Sequence, residues 1–225
     1  MTVYVTTCDK YSHLLKGFAY LFNKYWGAEQ AVVVLGFAKP DFELPPNFKF
    51  HSMEEKETRP WTDNLKTYFE SIDDEYFVWL MDDYWLTEKV DQTKVKEMQT
   101  CVDTGAVKGD LSNNTNHFQH TAVEDFVVAR AFASYRTSTQ PAIWRRDWLI
   151  GILKPGLNPW QFELQGRSPA LSSGKIVGKP GQIYKFANAY YQGSPAPYML
   201  ERLTDTDKKA LIDLKAFDGF KGYTP

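Results

Sequence analysis

Two adjacent carboxylates, Asp82 and Asp83, stand at the end of the apolar run "EYFVWLM". Like charges this close repel. A divalent cation, which prefers hard oxygen ligands, relieves that repulsion, and a nucleoside diphosphate completes its coordination sphere. A solvated turn after a strand is the plainer reading of the same two residues. A second pair, His117 and His120 in "NHFQH", has the three-residue spacing of two metal ligands on a helix. The surrounding "SNNTNHFQHT" is polar and loop-like, which suits a surface segment or a lid instead. Nothing in the chain matches a nucleophile elbow, a GxxxxGK phosphate loop or a GxGxxG dinucleotide fingerprint.

The elements that must position the carboxylates are legible from periodicity. The near-continuous apolarity before Asp82 describes a strand covered on both faces. Ligands of open parallel sheets sit outside the carboxyl ends of such strands. Upstream, "TVYVTT" is a strand, and Leu14, Leu15, Phe18, Leu21, Phe22 and Tyr25 recur at helical spacing after it. "AVVVLGF" and "NFKFHSM" are two further strands around the turn "LPPN", and "WTDNLKTYFESI" is a helix. Strands alternating with helices imply βαβ units and a largely parallel sheet.

The second half reads differently. "DQTKVKEMQTCV" is a helix, "GAVKGDLS" a strand, and "EDFVVARAFASYRTSTQPAIW" one or two long strands broken near Pro141. "RRDWLIGIL" and "NPWQFELQG" are short elements, and "GKIVGKPGQIYKFANAYYQG" reads as strands with Gly-rich turns. "TDTDKKALIDLKAF" is a closing helix capped by Thr204 or Asp205. Without repeats or a long linker, 225 residues predict one α/β domain.

Composition narrows the function classes. Aromatic residues make up 16% of the chain, more than a plain core requires, and extra Trp and Tyr often line sites for flat or sugar-like rings. A net charge of −2 provides no field of one sign to draw the chain to nucleic acid or an anionic membrane. No apolar stretch is long enough to span a bilayer, and "MTVYVTTCDK" lacks the pattern of a secretion signal, so a cytoplasmic protein is expected. Cys8 and Cys101 are too few for a disulfide framework and are expected as reduced thiols.

Three blocks together resemble a known family: "VTTCDKYSHLLKGFAYLFNKYW", "DEYFVWLMDDYWL" and "STQPAIWRRDWLIGILKPGLNPWQFELQG". Their types and order are similar to small glycosyltransferases of the glycosyltransferase-A fold, found in bacterial surface-polysaccharide clusters and phage genomes. The likeness covers roughly residues 3 to 193. It implies a Rossmann-like, mixed but mainly parallel central sheet flanked by helices, in a single domain. About residues 1–110 would bind the nucleotide sugar and about 111–225 the acceptor. The family's strand-end motif is Asp-any-Asp and holds Mn²⁺ or Mg²⁺ against the donor diphosphate; here it reads Met81-Asp82-Asp83. The resemblance implies Asp83 as metal ligand, with Asp82 facing the ribose or sharing the metal.

It also implies that the loop after the first strand walls the nucleotide site. Thr6, Thr7 and Asp9 would then hydrogen-bond base or ribose and Tyr11 would stack on a base, while Asp9 could equally cap the helix beginning near Lys10. Asp63 and Asn64 fall where related enzymes contact the nucleotide or position the sugar, although Thr62 or Asp63 could simply cap the following helix. Gln140 falls where the family keeps a polar residue near the donor sugar.

Inverting transfer needs a carboxylate to deprotonate the acceptor hydroxyl. Glu163, set among Trp160, Phe162 and Leu164, suits that role if burial raises its pKa, and it matches the family's Trp-x-x-Glu element. The alternative is a carboxylate stabilised near a helix N-terminus after Pro159. Trp160 is either an acceptor platform or core. Arg145 and Arg146 either meet diphosphate or are solvated and paired with Asp147.

The expected function is metal-dependent transfer of a sugar from a nucleotide-diphosphate donor to a hydroxyl of a glycan or other acceptor. Two alternatives remain at the level of sequence: a non-catalytic nucleotide-sugar or glycan-binding module, and a phage enzyme that glycosylates a hydroxymethylated DNA base.

Overall fold

A computed structural model describes residues 1–54, 57–112, 118–121, 125–133, 135–165, 174–191 and 193–220. In chain order the elements are β1 (Val3–Thr6), α1 (Leu15–Phe22), β2 (Val32–Gly36), β3 (Phe48–Ser52), α2 (Trp61–Glu70), β4 (Tyr76–Met81) and β5 (Tyr84–Leu86). They continue with α3 (Gln92–Asp103), β6 (Lys108–Asp110), β7 (Phe118–His120), β8 (Val127–Ala129), β9 (Ala142–Arg145), α4 (Arg146–Ile152) and α5 (Pro159–Leu164). The last are β10 (Ile176–Gly178), β11 (Phe186–Asn188), β12 (Tyr190–Tyr191), β13 (Ser194–Pro195), α6 (Pro197–Leu200) and α7 (Asp205–Asp213). No helix among the described residues is long and apolar enough to cross a membrane.

The chain forms two compact units, each drawn from separated segments. The first comprises Met1–Thr2, Lys56–Leu80 and Asp91–Ile183; the second comprises Val3–Glu55, Met81–Val90 and Tyr184–Pro225. Among the described residues the main sheet is mixed and has nine strands.

In the second unit β3, β2 and β1 are parallel, with Val3 opposite Val32 and Val32 opposite Phe48. Strand β1 is buried throughout and β2 nearly so, as apolar strands covered on both faces should be, whereas β3 at the sheet edge buries only Phe48. Helix α1 buries Leu15, Phe18, Leu21 and Phe22, and Phe18 and Phe22 both meet Phe48 edge-on. Gly17 is there for space: a Cβ on it would lie 2.2 Å from Trp85 Cζ2, so only glycine lets this indole lie against the helix. Strand β5 carries Trp85 and pairs antiparallel with β11.

In the first unit the hydrogen-bonded order is β4-β9-β6-β10-β8-β7, parallel between β6 and β10 and antiparallel at the other pairs. Its core is unusually aromatic. Trp79 on β4 meets Trp61, Phe69, Trp144 and Phe162, with ring centroids 5.6 to 6.2 Å apart. Helix α3 starts at Asp91, whose carboxylate accepts from the Thr93 and Lys94 N–H groups. Thr204 caps α7 as expected, accepting from the Asp207 N–H.

One predicted element differs. The stretch from Phe126 to Trp144 is not built of long strands: β8 and β9 are short, and turns fill the interval between them. Phe132 and Tyr135 adopt φ of 60° and 61°, left-handed values that no strand accommodates, so the apolar alternation in "VVARAFASY" does not become a ladder. Of the His117/His120 pair, His120 ends β7 and is exposed, while His117 lies outside the described residues.

Candidate active site

Two groups of predicted site residues come together, one in each unit. In the second unit, the loop after β1 and the turn after β4 are tied by backbone and side chain. The Asp82 N–H donates to Thr6 O at 3.2 Å, and the Thr7 N–H donates to Leu35 O at 2.9 Å. The Thr6 hydroxyl donates to Met81 Sδ at 3.0 Å, and the Thr7 hydroxyl to Asp82 Oδ2 at 2.6 Å. Asp82 is therefore a buried acid committed to the first loop. Burial and the neighbouring Asp83 push its carboxyl well above the usual carboxylate range, against the pull of the Thr7 bond, which favours the charge.

Asp83 differs from its neighbour. It is half-buried, and its carbonyl accepts from the Ala189 N–H at 2.8 Å and the Trp85 N–H at 3.1 Å, which fixes the sharp turn into β5. Burial, and then the Asp83 charge, raise the pKa of the Tyr184 phenol, whose hydroxyl donates to Tyr84 O at 2.9 Å.

The other first-loop candidates are held in place without capping a helix. Asp9 Oδ1 accepts from the Ala38 N–H at 2.8 Å, which joins the first loop to the turn after β2. The Tyr11 hydroxyl accepts from Lys10 Nζ at 2.9 Å, and its ring meets Tyr190 edge-on at 5.3 Å. His13 lies 3.3 Å from the Tyr190 hydroxyl, and its imidazole pKa is lowered by burial. The first loop thus has a wall of rings, with the Tyr190 hydroxyl donating to Gly219 O at 3.2 Å.

In the first unit, Glu163 on α5 is half-buried, and its Oε1 accepts from both the N–H and the hydroxyl of Thr139, at 2.7 and 2.8 Å. Its surroundings are less apolar than its sequence neighbours suggest: Phe162 points into the core, while Trp160 and Leu164 are exposed. Thr137 donates to the carbonyls of Phe162 and Glu163, and Asn158 and Gln161 form a reciprocal capping box at the start of α5.

Beneath this helix lies a charged group that sequence reasoning missed. Lys108 is fully buried on β6, donates to Ser138 O at 2.7 Å and lies 4.3 Å from the Trp144 ring centroid. Burial pushes its ammonium down to about 8, opposed by the charges of Asp110 and Glu163. Arg136 is also buried and donates to the Ala129, Arg130 and Gly174 carbonyls. Asp110 accepts from Ser112 N–H and hydroxyl, and Ser112 meets the Gln140 amide at 2.8 Å. The result is that Gln140, Thr139 and Glu163 belong to one network. The signal was present in "AVKGDLS", where Lys108 and Asp110 stand two apart and so share a face of a strand.

The remaining candidates lie elsewhere in the first unit. Asp63 Oδ2 accepts from the Gly156 N–H at 2.7 Å, and Thr62 exchanges two bonds with the Leu157 backbone, so both pin the 155–157 turn rather than cap α2. Asn64 is buried and its Oδ1 has no hydrogen-bond partner among the described residues. Arg145 is paired with Glu75 at 3.1 Å and Asp147 at 3.3 Å. Among the described residues no three His, Cys, Asp or Glu side chains gather to hold a metal ion. A cation would therefore have to take most of its ligands from phosphate and water. Mg²⁺ is commonly held that way, by one or two carboxylates plus substrate phosphates, and the Asp82–Asp83 pair, in which burial and then the charge of Asp83 raise the pKa of Asp82, fits that minimum.

The mixed sheet with an acidic pair at a strand end defines the chain as one of the glycosyltransferase-A fold. Solved structures agree. S. aureus TarS 1–349 matches at a TM-score of 0.52 and 14% identity, over 80% of this chain and 58% of that one, so this chain spans less than two thirds of that protein's length. The same TarS region solved with UDP matches at 0.51 and 15%, over the same shares. HddC from Yersinia pseudotuberculosis matches at 0.56 and 11%, over 93% of this chain and 99% of that one. At such identities the likeness is one of fold. The chain matches no family model and no curated protein.

Proposed function

We propose that the protein is a glycosyltransferase that transfers a sugar from a nucleotide-diphosphate donor to an acceptor hydroxyl. The observation that carries this reading is the Thr7–Asp82 bond, which couples the first loop to the acidic strand end within a glycosyltransferase-A fold. One wall of such a site would hold the base and the other the diphosphate. Further support comes from the UDP complex of TarS, a structure of the same fold.

The acidic pair divides its work. Asp82 positions the first loop and would share Mn²⁺ or Mg²⁺ with Asp83, the less buried of the two. When bound, that ion would stabilise negative charge developing on the departing diphosphate. Thr7, Asp9 and Tyr11 would line the nucleotide, with Tyr11 already braced against Tyr190. Glu163 would take the acceptor proton as the acceptor oxygen bonds to the anomeric carbon and the bond to the nucleoside diphosphate breaks, which inverts the centre. Thr139 fixes the direction of the carboxylate by holding Oε1.

Turnover of a panel of nucleotide sugars tests the reading. Release of nucleoside diphosphate from one of them, dependent on Mn²⁺ or Mg²⁺ and lost in EDTA, is the expected result. A chain inert toward every donor in the panel would contradict it, and full turnover in EDTA would remove the metal from it.

A further inference from the structure

Lys108 has no part in the chemistry proposed above, yet its ammonium is fully buried, and taking such a charge out of water is costly. A methionine would fill the same space without that cost. Burial lowers the pKa only to about 8, so the charge is kept at neutral pH. Among the described residues one of its three N–H donors makes a hydrogen bond, to Ser138 O at 2.7 Å. What it holds there is a segment without a ladder. Residues 137–139 are buried but lie in neither helix nor strand. Side chains fasten the segment instead: Thr137 donates to the Phe162 and Glu163 carbonyls, Lys108 to Ser138 O, and the Ser112 hydroxyl to Gln140 Oε1. The carbonyl that Lys108 grips and the Thr139 N–H that Glu163 Oε1 accepts from, at 2.7 Å, are the two ends of one peptide group.

We propose that Lys108 is a positioning residue for Glu163, acting through the Ser138–Thr139 peptide group, with the ammonium on its oxygen at one end and the carboxylate on its N–H at the other. This deepens the proposed function and rests on its assignment of Glu163 as base. A peptide group is planar and rigid, so fixing the direction of its oxygen fixes the direction of its N–H. A cation on the oxygen also polarises the group, which strengthens the bond from the N–H to a carboxylate. The neighbouring charges leave this as the path. Asp110 and Glu163 attract the ammonium and Arg136 repels it, but Asp110 is turned to the Ser112 N–H and hydroxyl. All four members of the relay, Lys108, Ser138, Thr139 and Glu163, belong to the first unit. Aim matters for a base, because a displacement of about 1 Å from the reactive geometry can cost about 10²-fold in rate.

A double-mutant cycle on the full chain provides the test, read as release of nucleoside diphosphate from a panel of UDP-, GDP-, ADP-, CDP- and dTDP-hexoses. Lys108→Met should lower kcat by about tenfold or more and leave KM for the donor within about twofold. In a Glu163→Gln background the same substitution should bring no further loss, because no base is left to position. A merely structural role would lower kcat alike in both backgrounds; that result, or an unchanged kcat in Lys108→Met, would overturn the positioning role. If Lys108→Met does not fold, NMR of the wild type decides. Couplings across the hydrogen bonds should join Lys108 Nζ to the Ser138 carbonyl carbon and the Thr139 amide nitrogen to the Glu163 carboxyl carbon, and absence of either would overturn the relay. The two claims fail separately. A wild type inert toward the whole panel sinks the proposed function and the role together, whereas turnover lost in Glu163→Gln and kept in Lys108→Met sinks the role alone.

Discussion

The acidic turn of the second unit and the Lys108 group of the first both take charge out of water, and they balance it in opposite ways. Lys108 and Arg136 donate to backbone carbonyls, and the charges of Asp110 and Glu163 favour the Lys108 ammonium against the cost of its burial. Asp82 has instead a like charge next to it, and its main relief is one hydroxyl. Buried charge that serves structure is matched by opposite charge, because desolvation is otherwise uncompensated. A like-charged pair at a strand end is stabilised only when something positive arrives, which is what a binding site for a cation and its diphosphate requires.

That contrast can be broken at several points. The largest effect is expected at Glu163, a member of the first unit's network and the proposed base. Glu163→Gln should lower transfer by about 10²- to 10⁴-fold, the usual contribution of a general base, while the amide oxygen still accepts from Thr139 and donor affinity is kept. Steady-state transfer beside donor titration checks this. Equal turnover would remove the base.

Neutralising one charge of the balanced group should destabilise the protein. Lys108→Met leaves the buried Ser138 carbonyl without its donor and is expected to cost about 1 to 3 kcal/mol in urea unfolding, the usual penalty for an unsatisfied buried acceptor. An unchanged unfolding midpoint would mean that the group contributes no balance.

Neutralising Asp82 should do the opposite. Its carboxyl pKa is raised in the folded state, so protonation stabilises the fold: the contribution is fully present below the unfolded pKa and is lost as pH rises through the folded value. Asp82→Asn should therefore melt a few degrees higher than wild type at pH 8, roughly 1 kcal/mol, with the difference shrinking toward pH 4. A lower melting point at pH 8 would show that the ionised pair is already compensated.

Much of this was readable beforehand. The parallel β1–β2–β3 run, the strand before Asp82 and the cap at Thr204 follow from periodicity and from a side chain that bonds its own neighbour. What could not be read depends on partners distant in the chain. Thr7 and Asp82 are 75 positions apart, and Thr139 and Glu163 are 24 apart, so no local pattern announces either bond. The turns around Phe132 and Tyr135 were hidden for another reason: aromatic residues in left-handed backbone contradict the strand propensity of their own side chains. Asp63 shows the same limit. Its position suits a helix cap, yet its carboxylate reaches across to Gly156.

The central claim is that the acidic strand end recognises a nucleoside diphosphate through a cation. Calorimetric titration of UDP, GDP, ADP, CDP and dTDP into the wild-type chain and into Asp83→Ala, each with Mn²⁺ and with EDTA, tests it most directly. One nucleotide should bind wild type in Mn²⁺ at about 100 μM or tighter, and at least about tenfold more weakly in EDTA or in Asp83→Ala. Binding of equal strength under all three conditions, or no binding to any nucleotide, would contradict it.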